Sequence, residues 1–70
     1  MLTTFAVNLR AELDRRKIAP AELARRSNLP SPTIHRYLTG QREPTLANAA
    51  RIAAALKITV DKLVRSGRGI

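Results

Sequence analysis

The sequence predicts an all-α fold of five short helices, and three observations carry that expectation. Apolar residues recur at helical spacing, as in Phe5, Leu9 and Leu13, and nowhere alternate as a half-buried strand would require. Residues that start helices stand at intervals: Thr3 or Thr4, Pro20, Ser31-Pro32, Thr45 and Thr59. Residues that end them stand between, above all Asn28 and Gly40, which tolerate the left-handed conformation.

Thr3 or Thr4 caps a first helix that runs to about Lys17. Phe5, Leu9 and Leu13 form its core-facing stripe, with Leu2 and Ala6 alongside. Phe5 is the chain's one phenylalanine and reads as core, because single-strand binders need several aromatic platforms. Ile18 plugs the corner before Pro20. The second helix covers 20–27 and opens on Pro20, at a position where a missing N–H costs nothing. It buries Leu23, and Ala24 lets a neighbour approach closely; Asn28 ends it and Leu29 packs in the turn. The third helix covers about 32–39, with Ser31 as N-cap and Pro32 as first helical residue. Ile34 and Leu38 lie four apart on one face with Tyr37 beside them, while Thr33, Arg36 and Thr39 fall elsewhere. Gly40 ends this helix, and 40–43 is a loop. Thr45 caps a fourth helix whose buried face is Leu46, Ala49, Ala50, Ala53 and Leu56. Thr59 caps a short fifth helix, with Asp61 favourable to its dipole and Val60, Leu63 and Val64 as apolar positions. The expected organisation is one domain over 1–65 and a flexible tail over 66–70, where two glycines stand.

Thirteen basic residues against five acidic ones give a formal charge of +8 on 70 residues, which predicts attraction to a polyanion. Three of the five acids have a basic partner one turn later: Glu12–Arg16, Glu22–Arg26 and Asp61–Arg65. Arg10, Lys17, Arg36, Arg42, Arg51 and Lys57 are left freer to face phosphate. A short helix with an apolar back and a small, polar, basic front suits a DNA major groove. Cysteine is absent, which excludes disulfides and thiolate metal sites. His35, the one histidine, has no companions at metal-ligand spacing, and no nucleophile–base pair or glycine-rich phosphate loop stands out. Neither an enzyme nor a cofactor is expected. No apolar run is long enough for a membrane span and no signal-peptide pattern is present, so a cytoplasmic, nucleoid-associated location in a prokaryotic or phage-infected cell is expected.

Four stretches in order carry a family resemblance: AELA (21–24), PTIHRYLTG (32–40), REPTL (42–46) and IAAALKITVDKL (52–63). Together they resemble the lambda-repressor-like, or Cro/repressor, helix-turn-helix family over almost the whole chain. The resemblance implies a compact five-helix DNA-binding domain with its helix-turn-helix at the second and third helices, the third being the recognition helix. Carried over by position, base contacts fall on Ser31, Pro32, Thr33 and Arg36. Phosphate contacts fall on Pro20, Ala21, Gln41, Arg42 and Thr45. The chain departs from the family pattern in places. Leu13 and Leu38 stand where many members pair a buried arginine with an acid, a swap that is often neutral or stabilising. Pro20 replaces a glutamine that clamps phosphate, Pro32 offers a base only apolar contact, and Lys57 stands where glycine usually ends the fourth helix.

The expected function is that of a sequence-specific regulator of transcription on double-stranded DNA, most like the small Cro-type repressors of phages, occluding a promoter operator. Little of the chain remains for a ligand-binding or catalytic domain. A symmetric operator implies a homodimer with half-sites about 34–36 Å apart. Ile58, Val60, Val64 and Ile70 serve either as a dimer patch or as monomer core. Arg36 reads guanine through its planar fork or touches phosphate alone. His35 points off the core face, toward solvent or phosphate. The alternative function is the DNA-binding antitoxin of a toxin–antitoxin pair, which a neighbouring toxin gene would reveal. A basic amphipathic protein on anionic membranes is a further class; the scarcity of aromatics and the capped turns argue against it.

Overall fold

A computed structural model describes residues 3–65. They form α1 (Thr4–Arg16), α2 (Pro20–Ser27), α3 (Ser31–Leu38), α4 (Leu46–Leu56) and α5 (Val60–Val64), with no strand among the described residues. Leu2, Ile70 and the tail expected at 66–70 lie outside the described residues.

Three helices begin on a threonine hydroxyl. Thr3 accepts from the Ala6 N–H at 3.0 Å, Thr45 from that of Asn48 at 3.1 Å and Thr59 from that of Lys62 at 3.2 Å. The other two begin on proline. In α2, Ala19 is the N-cap with no side-chain bond, and Pro20 is the first helical residue. In α3 the cap is Pro30 and not Ser31, one residue earlier than the sequence suggests. The Pro30 carbonyl accepts from the N–H groups of Thr33 and Ile34 at 3.0 and 3.2 Å. Pro32 thus becomes the second helical residue, still within the first turn, where its lack of an N–H forfeits no intrahelical bond.

Four helix ends share one device. The left-handed residue is Lys17 after α1, Asn28 after α2, Gly40 after α3 and Lys57 after α4, with φ of 56°, 61°, 78° and 58°. Its N–H bonds the carbonyl three residues back, and the next residue's N–H reaches five back. After α2, for example, Asn28 donates to Arg25 at 3.3 Å and Leu29 to Ala24 at 3.1 Å. After α1, α2 and α4 the residue that follows is Ile18, Leu29 or Ile58, each packed on the core. After α3 it is Gln41, polar and exposed.

The core draws on every helix: Phe5, Leu9 and Leu13 of α1, Leu23 of α2, Ile34, Tyr37 and Leu38 of α3, Ile52 and Leu56 of α4, and Leu63 of α5. Leu13 and Leu38 are both buried in it, at 4% and 2% exposure. α2 packs on α3 and α4, α1 on α3 and α5, and α4 also on α5. The buried face of α4 differs from expectation: it is Ala49, Ile52, Ala53 and Leu56, while Leu46 is 78% exposed and Ala50 is exposed. Leu46 is the first residue of α4, outside the reach of the core, and Ala50 is turned about 100° from Ala49. The Asn8 side chain ties α1 to the end of α5, donating to the carbonyls of Leu63 at 2.9 Å and Arg65 at 2.7 Å. It thereby satisfies carbonyls that a five-residue helix leaves open.

Candidate nucleic-acid interface

α3 presents two unlike faces. Ile34, Tyr37 and Leu38 are buried behind it, while Ser31, Pro32, His35 and Arg36 are exposed in front, with Thr33 half-buried between. The division follows from helical periodicity, since Thr33 and Arg36 are each one residue off the Ile34–Tyr37 row. α2 braces this helix from behind and the Asn28 turn sets the angle between them.

The loop after α3 is tied to the helix it leaves. The Arg36 carbonyl accepts from Gln41 N–H at 2.9 Å and from Arg42 N–H at 3.3 Å. This holds Arg42 beside Arg36 at a cleft of about 330 Å³ between α3 and the start of α4, which Thr33, Tyr37, Thr45 and Asn48 also line. Four of the residues expected at DNA, Thr33, Arg36, Arg42 and Thr45, therefore come together. Gln41 is exposed on the adjoining loop. α4 has no acid in its first turn, and its Leu46 and Ala47 N–H groups have no intrahelical acceptor; Glu43, two residues before the cap, is the one acid lining the cleft.

Ser31 and Ala21 line a second concavity, across the turn from this cleft. Here the expected phosphate anchor is poor in donors. Pro20 has no N–H, Ala19 gives no side-chain cap, and Glu22 puts a carboxylate in the first turn of α2. Ala21 offers one free N–H. Glu22 is engaged by Arg25 and, at 2.8 Å, by Arg26. These two guanidiniums, Arg26 foremost, hold its carboxyl below the usual carboxylate range.

Pairs three residues apart, Glu12–Arg15 and Glu22–Arg25, join the pairs four apart that the sequence predicts. Glu12 accepts from Arg15 at 2.6 Å as well as from Arg16 at 3.0 Å. The Arg15 hydrogen bond, with help from Arg16, lowers the Glu12 carboxyl against the opposing effect of burial. The same bond raises the Arg15 guanidinium. With Arg65 on Asp61, five of the described arginines are paired. Arg10, Lys17, Arg36, Arg42, Arg51, Lys57 and Lys62 have no ion-pair partner among the described residues. Of the residues weighed for a dimer patch, Ile58 and Val60 are partly buried against the core and Val64 is 50% exposed.

A fold of this kind, with one helix presenting a small basic front on a scaffold of four others, defines a helix-turn-helix protein. A family model described as helix-turn-helix matches residues 9–63, and the chain belongs to that family. Its fold is the lambda-repressor-like one, and the protein is a DNA-binding regulator of transcription. No individual curated protein and no solved structure matches the chain significantly. No helix among the described residues is long and apolar enough to cross a membrane.

Proposed function

We propose that the protein is a Cro-type repressor that binds a symmetric operator as a homodimer and excludes polymerase from the promoter. The observation that supports this most directly is the front of α3, where Arg36 is the one long, unpaired cation beside small or compact neighbours, Ser31, Pro32 and Thr33. Those neighbours let the helix start enter a major groove closely. Arg36 then reaches a base edge, and its fork matches guanine O6 and N7. Ser31 and Thr33 contribute hydrogen bonds to bases and Pro32 apolar contact with a thymine methyl. Gln41, Arg42, Thr45, Pro20 and Ala21 lie against the backbone on either side. Val64, which is half exposed, contributes to the dimer contact together with the partly buried Ile58 and Val60.

Selection of bound sites from random duplexes tests the reading. The expected result is a palindrome with half-sites about one helical turn apart. On that operator Arg36→Ala should cost about 1–3 kcal/mol and relax the preference at one base pair per half-site. Arg42→Ala should weaken binding to all sequences alike and reduce the salt slope by about one. If Arg36→Ala lowers affinity for the operator and for an unrelated duplex by the same factor, Arg36 is a phosphate contact and specificity lies elsewhere on α3.

A further inference from the structure

Tyr37 is 2% exposed, yet it lines the open cleft between α3 and α4. Its ring is fixed edge-on against Phe5, with centroids 6.0 Å apart and planes at 90°. Its hydroxyl accepts a hydrogen bond from Asn48 Nδ2 at 2.9 Å. A phenol has one proton to donate besides its lone pairs. Asn48 is the one hydrogen-bond partner of this hydroxyl among the described residues, so part of its hydrogen-bonding capacity is left open. What remains in front of it is the cleft, where Arg36 and Arg42 outnumber Glu43.

A buried donor facing a cationic, solvent-open cleft calls for an anionic oxygen. A base edge is out of reach, because Tyr37 sits on the back of α3 with Ile34 and Leu38. We infer that the Tyr37 hydroxyl donates to a backbone phosphate of duplex DNA seated in the α3–α4 cleft, with Asn48 holding the hydroxyl in that orientation. The phosphate is then held by the phenol and, across the cleft, by Arg42, which leaves Arg36 to the base edge. Tyr37 thereby couples the recognition helix to the backbone, fixing how deeply α3 enters the groove. This rests on the protein binding duplex DNA, and it adds Tyr37 and Asn48 to the residues expected from sequence.

The test compares wild type, Tyr37→Phe and Asn48→Ala on the selected operator and on an unrelated duplex. Tyr37→Phe keeps the ring and its packing, and thermal unfolding checks that the fold survives. It should lose about tenfold in affinity on both duplexes, as expected for a hydrogen bond to a charged group. The slope of log affinity against log salt should not change, because a neutral donor releases no counterion. Asn48→Ala leaves the hydroxyl in place and should stay within about threefold of wild type, well short of the loss of a whole hydrogen bond to charge. In the wild type, the ring-carbon resonance next to the hydroxyl of the single tyrosine should move when duplex is added. Unchanged affinity of Tyr37→Phe, equal losses in the two variants, or an unmoved resonance on a bound complex would each overturn the inference. A wild type that binds no duplex at all would instead overturn the reading beneath it.

Discussion

Lys57 and Lys17 hold a left-handed backbone that glycine adopts without strain, at φ of 58° and 56°. Asn28, at 61°, suffers less because asparagine tolerates this region. A lysine at a helix C-terminus gains something from the dipole, but less than the backbone strain costs. Lys57→Gly should therefore stabilise the fold by roughly 0.5–1 kcal/mol, read by urea or thermal unfolding. A clear loss of stability would mean that the Lys57 ammonium has a partner worth more than the strain. Asn28 and Gly40 announce themselves as helix ends by residue type alone, whereas a lysine does not. The signal in the chain is the residue after it: Ile18 and Ile58, like Leu29, are the apolar partners that this helix end requires.

Within α1 and α3, two kinds of pairing carry predictions. Leu13 and Leu38 share the core where an ion pair is common in the family. Leu38→Ala should cost about 2–5 kcal/mol, and Leu38→Glu more, since a carboxylate would be buried without a partner. Chemical denaturation of both variants checks the order; a milder effect for glutamate than for alanine would show that the site admits water. Glu12, 7% exposed and engaged by Arg15 and Arg16, is the buried acid of α1. Its pKa is lowered in the folded state, so its contribution is fully present above the ordinary carboxylate range and is lost as pH falls through the lowered value. Stability should thus decline on acidification, and Glu12→Gln should flatten that decline while lowering stability at neutral pH. An identical acid slope in wild type and Glu12→Gln would place the acid sensitivity on Glu22 or elsewhere.

Over the whole molecule the formal charge is +8, and seven of the described cations have no acidic partner among the described residues. If several of these meet phosphate in each subunit, log affinity for any duplex should fall linearly and steeply with log salt, by about 0.9 per phosphate neutralised. Titrations of one duplex across a range of salt concentrations measure this. A flat response would assign the charge to solvent rather than to DNA. Arg42 faces the cleft that takes the backbone in this reading; the arginines on Glu12, Glu22 and Asp61 are partly neutralised and should add little to the slope.

What the sequence by itself determined was local. Helix number, the threonine caps and the left-handed turns at Asn28 and Gly40 depend on residues within a turn of each other. So does the division of α3 into an apolar back and a basic front, and short-range sterics and helical spacing decide all of these. The family resemblance adds the expectation that the third helix is the one that reads DNA. Only the tertiary structure decided which apolar residues are buried. Ile52 rather than Leu46 fills the core, because burial depends on where α4 crosses the other helices and not on hydrophobicity alone. The cleft that gathers Arg36, Arg42, Thr45, Tyr37 and Asn48 is of the same kind. Tyr37 and Asn48 are 11 positions apart, and their hydrogen bond exists only because α3, the loop bonded to its end and α4 are packed into one arrangement.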